Sequence, residues 1–211
     1  MISLSEILHT IAQALMIPCL IILLILMAGA VWQIGDIVVE YIAERRKHKC
    51  NVPQLLRDVH TAGADGLAEL IENSGLLRRQ KKALLELAES RSLPKDTLTA
   101  LAERLLATEE ARNARTTSVT DMIAKLGPMF GLLGTLIPLG PGIVALGQGD
   151  TVTLSESMNV AFDTTIAGVI SAAVASVISH LRKRWYNDDM VSLETLREAV
   201  LEEVTADVDG S

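Results

Sequence analysis

The sequence predicts an all-α integral membrane protein with three transmembrane helices, whose long helices extend into a cytoplasmic helical domain. Three observations carry this expectation. First, three stretches, roughly residues 11–34, 125–146 and 158–181, are almost free of charge. Each is long enough for the ~20 residues that cross ~30 Å of hydrocarbon. Second, the segment between the first two stretches, 51–121, is densely charged, so the overall 49% hydrophobic content averages two populations. Third, basic residues follow the first stretch (Arg45, Arg46, Lys47, Lys49) and the third (Arg182, Lys183, Arg184). By the positive-inside rule both those ends face the cytoplasm, which places the N-terminus outside and the C-terminus inside a cell (inner or plasma) membrane.

The chain therefore divides into four parts. Residues 1–40 are an outer segment and the first transmembrane helix. Residues 41–124 are a cytoplasmic helical insert. Residues 125–182 hold the second and third transmembrane helices, and 183–211 form a cytoplasmic acidic tail, expected to be an amphipathic helix that frays.

The first span contains no Asp, Glu, Lys, Arg or His between Thr10 and Gly35. Its length and the lack of Lys or Arg in residues 1–10 separate it from a signal peptide. Pro18 predicts a kink in its outer half, and Trp32 and Tyr41 fit an inner interfacial belt. Cys19 sits in LMIPC, a poor lipidation site. Cys19 and Cys50 fall in such different surroundings that a disulfide or a Cys-based metal site has no support.

In the insert, Pro53 and residues 63–66 punctuate short helices. Leu84, Leu87 and Ala88 form an apolar stripe at helical spacing. Ser92 as N-cap with Pro94 just inside predicts a helix from about Leu93. No Gly or Pro interrupts it before Gly127 and Pro128, so one helix is expected to run on into the second span. Leu98, Leu101, Leu105 and Leu106 share one face. Glu103, Arg104, Glu109, Glu110, Arg112 and Arg115 read as a solvated, paired surface.

The second span, KLGPMFGLLGTLIPLGPGIVAL, carries Gly127, Gly131 and Gly134, which thin one side and admit a close neighbour. Pro138 and Pro141 are expected to break or kink it, with the freed carbonyls satisfied by protein or water. An outer loop is expected over 147–157. In the third span Thr164, Gly168, Ala172 and Ser176 recur every four residues, a ridge of small side chains. Thr165 and Ser179 widen it into a polar stripe, which reads either as a narrow hydrated path or as packing with hydroxyls bonded to their own helix. Ile166, Ile170, Val174 and Val177 lie on the other side. Asp163 is a carboxylate inside the span and so a candidate functional group. It stands two positions from Thr165, ~200° around the helix, and reads as packing toward the first span near His9 or as an acid at the outer mouth.

Net charge is −7 and aromatic content 3%, which argue against a nucleic-acid partner. There is no GxxxxGK[ST] phosphate loop, and no enzyme chemistry, cofactor or metal is implied. Any energy for work must come from the membrane.

GPMFGLLGTL (127–136), followed after a loop by AFDTTIAGVISAAVA (161–175), resembles the paired motifs of the MotA/TolQ/ExbB proton-channel family. Three spans resemble the TolQ/ExbB branch more than MotA, which has four. The resemblance implies five copies around two copies of a single-span TolR/ExbD/MotB-like partner, which supplies an intramembrane Asp. It also implies that Thr135 and Thr165 face the ion path. Three departures stand out. Leu136-Ile137-Pro138 replaces the usual Val-Trp-Gly, Val174 stands for the family's proline, and Val160 stands where a Glu is usual.

The expected function is an ion-conducting subunit, for protons more readily than Na⁺, that converts ion-motive force into mechanical work or energised transport. Threonines order water but do not titrate near neutrality, and a dehydrated Na⁺ needs several oxygens, for which only Thr164, Thr165 and the backbone near Pro138 and Pro141 offer themselves. The alternatives are a non-conducting membrane scaffold and a subunit of a small-molecule transporter, the latter without any visible inverted repeat.

Overall fold

The computed structural model describes residues 4–42 and 51–209, and among them every regular element is a helix. In order these are α1 (Leu4–Ala14), α2 (Met16–Glu40), α3 (Val52–Asn73), α4 (Arg78–Glu89), α5 (Lys95–Gly147) and α6 (Thr151–Asp209). The basic cluster at 45–49 and Cys50 lie outside the described residues. Three helices are long and apolar enough to cross a membrane: Glu6–Glu40, spanning α1 and α2, then α5, then Thr151–Ala206 within α6. The chain forms two compact units. One contains the residues up to Ile37 with Thr117–Leu181, the other Val38–Thr116 with Arg182 onward.

In the first unit, α1 gives way to α2 at Leu15, one turn before Pro18. Proline has no N–H to return to the carbonyl four residues back, so the ladder is interrupted where the sequence placed the kink. Leu23, Leu26 and Ala30 of α2 are buried, and Leu26 and Ala30 pack with Ile123 and Ala175. Cys19 is also buried, its thiol donating to the Phe130 carbonyl at 3.4 Å.

The closest approach in this unit is between α5 and α6. A Cβ on Gly168 would stand 2.5 Å from the Gly127 carbonyl oxygen and 2.9 Å from the Gly131 Cα. One on Gly127 would meet the Gly168 carbonyl oxygen at 2.6 Å and the Ala172 Cβ at 3.0 Å, and one on Gly134 would stand 2.6 Å from the Thr164 Cβ. These contacts descend α5 as they climb α6, so the helices are antiparallel neighbours with backbone against backbone.

Several details differ from the sequence expectation. Pro138 and Pro141 do not end the helix, for α5 continues to Gly147. Each proline removes one donor from the ladder, and α6 runs beside this part, with Ser157 next to Gly142. The loop expected over 147–157 shrinks to three residues. Gly149 has φ +78, Asp150 N–H donates to the Ala145 carbonyl at 2.9 Å and Gly149 N–H to that of Leu146 at 3.1 Å. This is a Schellman stop. Asp150 then caps α6, accepting from the Thr153 and Val152 amides and from the Thr153 hydroxyl at 2.6 Å. Those bonds, the Thr153 hydroxyl first, hold its carboxyl below the usual value. Helix α5 runs from Lys95, two residues after the expected start near Leu93, and its first backbone bonds go from Thr97 and Leu98 to the Pro94 carbonyl at 2.9 and 3.0 Å. The expected fraying tail is the end of α6, helical to Asp209, and its apolar face is buried.

The second unit has an aliphatic core. Leu55, Val59, Leu67 and Ile71 of α3, Leu84, Leu87 and Ala88 of α4, Leu98 and Ala102 of α5, and Leu193, Leu196, Val200 and Val204 of α6 all lie inside it. Gly63, at φ 64, kinks α3. Such an angle is readily adopted by glycine and strained in residues with a Cβ, and the kink lets both halves present leucine and valine inward. Gln80 ties the start of α4 to α6, accepting from the Leu77 amide at 3.2 Å and donating to the Asp189 carbonyl at 2.9 Å. Glu103, Arg104, Glu110, Arg112 and Arg115 are exposed, and Glu109 is half-buried.

The glycine contact generates a stability prediction. Gly168→Leu places a branched side chain against the Gly127 and Gly131 backbone, which has no side chain to move aside. The cost should reach or exceed ~1–3 kcal/mol. It should appear as a lower midpoint for heat-induced loss of the monodisperse peak of detergent-solubilised protein. An unchanged midpoint would remove the contact from the account.

Candidate functional site

The close approach sets the level at which the candidate hydroxyls lie. Gly131 faces the Thr165 Cα and Gly134 faces Thr164, so the GLLGT turn of α5 and the DTT turn of α6 are opposite one another. Thr135 and Thr165 are both half-buried. The Thr135 hydroxyl donates to the Leu132 carbonyl at 2.7 Å, and that of Thr165 to the Ala161 carbonyl at 3.0 Å. A hydroxyl whose proton is tied in this way still accepts from water through its lone pairs.

The other residues of the stripe are not equivalent. Thr164 is buried against Gly134, and its hydroxyl is engaged with the Val160 and Ala161 carbonyls at 3.0 and 2.9 Å. Gly131, Gly134, Gly168 and Ala172 are buried in the helix contact, as is Pro138, while Pro141 is half-buried. Ser176 is half-buried, with His180 Nδ1 2.8 Å from its carbonyl. Ser179 is buried and donates to Asp121 Oδ1 at 2.5 Å.

Asp163 points away from this stripe. It is exposed and lines an apolar groove of about 270 Å³ with Leu20, Leu23, Leu24 and Met27 of α2 and Thr164 and Ala167 of α6. It thus lies beside the first span, near the middle of that apolar stretch. His9 is not among the groove's lining residues.

Sequence reasoning missed a polar layer in the same unit. Asp121, counted with the soluble insert, holds Ser179, and one residue earlier Thr120 donates to Gln33 of α2 at 3.0 Å, both of them buried. The signal was present in two forms. Gln33 is an amide within a charge-free stretch. Asp121 precedes Thr135 by 14 residues, close to four whole turns.

In the second unit the residues just past the third apolar stretch form a charged knot. Arg182 is 1% exposed, with its Nε 3.3 Å from Glu40 Oε2. Tyr186, outside the apolar stretch, has its hydroxyl pushed up to about 12, first by burial and then by the negative charge of Glu40. Tyr41 stacks on Trp185, with ring centroids 6.1 Å apart and planes at 25°. Of the two aromatic residues expected at an interface, Tyr41 is thus in contact with a residue just past the third apolar stretch.

The sequence model of the MotA/TolQ/ExbB proton channel family matches residues 71–195. That is more than half of the 211 residues and contains the facing threonines, the glycine contact and the Asp121–Ser179 pair. No curated protein matches the chain.

The Tyr186 environment predicts a pH response. The unfolded chain releases a tyrosine proton near pH ~10, whereas the folded chain holds that of Tyr186 until about 12. The contribution is complete below pH ~10 and is lost as pH rises through the folded value, because the unfolded state gives up its proton first. Ultraviolet titration of tyrosinate in the folded protein should show a late step near pH 12 that Tyr186→Phe abolishes. A late step surviving in that variant would contradict the assignment.

Proposed function

The chain belongs to the MotA/TolQ/ExbB proton channel family, and we propose that it is a TolQ/ExbB-like subunit of a channel or motor, and not an enzyme, driven by ion-motive force. It works with a single-span TolR/ExbD-like partner and couples ion flow to mechanical work or to energised transport across the envelope. The observation that carries this proposal is the placement of Thr135 and Thr165 at one level of an antiparallel helix pair, inside the family-matched region.

The proposed arrangement is a homopentamer in a cell membrane, N-terminus outside and C-terminus cytoplasmic, around a partner that supplies the titrating Asp. The glycine ridge is occupied within the chain, so copies would meet through other faces. Met129, Leu132, Leu133 and Leu136 of α5 and Phe162, Ile166, Val169 and Ile170 of α6 are exposed and suit neighbouring copies, the partner or lipid. A unit charge falling through ~100 mV releases ~2.3 kcal/mol, so a few ions match one conformational step.

The ion of this proposal is H⁺. Thr164 is buried against Gly134, leaving few oxygens for a dehydrated Na⁺, whereas a proton needs only ordered water and one carboxylate. Thr165→Val keeps the side-chain volume and removes the hydroxyl. In liposomes holding the complete complex it should abolish uptake while native mass spectrometry still finds the pentamer. Uptake should follow the pH gradient and be indifferent to exchange of Na⁺ for K⁺. Transport that disappears with that exchange at constant pH would overturn the choice of ion.

A further inference from the structure

We propose that the groove between α2 and α6 is a lipid site, taking an acyl chain of a phospholipid whose primary ammonium head group pairs with Asp163. The proposal needs only that the chain sits in a bilayer, and it stands apart from the channel reading above.

The carboxylate carries the charge argument. Asp163 is exposed, and among the described residues it makes no hydrogen bond and no ion pair. A carboxylate inside a bilayer is costly unless a donor or a cation meets it, and it draws water and head groups inward by local thinning. The groove wall supplies no partner. Thr164, the other polar group on it, commits its hydroxyl proton to carbonyls of its own helix. No Lys, Arg or His occurs within residues 10–35 or 126–179. A neighbouring copy turned about the membrane normal therefore brings no cation to this level. The partner that fits is a cation from outside the chain.

The shape selects an amphiphile. The hollow of about 270 Å³ beside Asp163 adjoins a second of about 440 Å³, which shares Leu24 and Met27 and runs on past Ala28 and Val31 to Trp32. From Leu20 to Trp32 the floor is apolar, and twelve residues of helix are about 18 Å long. Leu26 packs with Ala175, and Gln33 bonds Thr120 beside the Asp121 that holds Ser179. These pairs make α2 and α6 parallel and set Asp163 level with the first turn of α2. The carboxylate thus stands at one end of the groove and the apolar floor extends from it in one direction, the order of a cationic head and its tail. A length of about 18 Å matches the chain region of one leaflet, half of ~30 Å, whereas a spanning helix needs a face running the full thickness. In the proposed orientation that leaflet is the outer one. The head group follows from the carboxylate. A primary ammonium offers three N–H donors and so makes charge-assisted bonds to it. A choline head has no N–H, and an anionic glycerol head is repelled and finds no basic side chain here.

Trp32, at the far end of the groove, reports its occupancy. The chain has two tryptophans, so the full chain carrying Trp185→Phe fluoresces from Trp32 alone. The test reconstitutes it in choline-lipid vesicles and adds lipids with brominated acyl chains, which quench an indole they touch. The brominated ethanolamine lipid should reach half-quenching at a mole fraction about tenfold or more below that of the choline lipid with the same chains, the scale of one hydrogen bond to a charged group. Asp163→Asn should bring the two lipids to parity, and Asp163→Glu should keep the preference. Ala28→Phe adds bulk to the exposed floor and leaves the carboxylate in place, so it should weaken quenching by the ethanolamine lipid. Free ethanolamine in the buffer should leave the preference unchanged. Equal quenching by ethanolamine, choline and glycerol head groups makes the groove a place for ordinary bilayer lipid and overturns the proposal. So does a preference that survives Asp163→Asn, a preference erased by free ethanolamine, or a Trp32 that no lipid quenches because protein covers the groove.

Discussion

The contact on which the first unit depends is backbone against backbone, where Gly168 meets Gly127 and Gly131. In hydrocarbon, helices gain nothing from hiding apolar side chains from one another, since lipid is equally apolar. What remains is dispersion, which falls off steeply with distance, and it rewards only helices that come very close. The three glycines bring α5 and α6 that close. Everything else at this level follows from the separation they set: Thr164 fills the space beside Gly134, and its neighbour Thr165 is turned off the contact line. The Ser179–Asp121 bond closes across the same helix pair further along.

The second unit is held by different physics. Its core of Leu, Val and Ile is the ordinary product of water exclusion, and α6 contributes to it as much as α3 or α4 does. At its edge sits Arg182, a buried cation with Glu40 as partner and Tyr186 alongside. Breaking such a pair from one side leaves an uncompensated buried charge.

The architecture was legible in the sequence to the extent that it depended on composition and period. Three charge-free stretches gave three helices able to span a membrane. The stripe at Leu84, Leu87 and Ala88 became core, and the spacing of Gly127, Gly131 and Gly134 marked the thin side of α5. The errors came from local rules applied without their neighbours. Pro138 and Pro141 are helix breakers in isolation, yet α5 passes through both. The loop was overestimated because a Gly-Gln-Gly-Asp stretch reads as loose, when Gly149 and Asp150 instead stop one helix and cap the next. Asp121 was overlooked because it was assigned to a soluble segment by its charged neighbours, whereas it accepts from a hydroxyl 58 positions away. Pairings across helices of that separation are not encoded in any short window.

The hydroxyls also bear on which species the proposed path could pass. Thr135 and Thr165, both half-buried, each donate to a carbonyl of their own helix. A hydroxyl has one proton and two lone pairs, so once the proton is committed the group presents only acceptors. A wall of acceptors orients water with its hydrogens toward the protein and its oxygens inward. That arrangement suits hydronium and repels anions, without any formal charge on the wall. The selectivity of such a path would then arise from helix geometry, because the back-bonding that fixes the acceptors is a property of Thr and Ser within an α-helix.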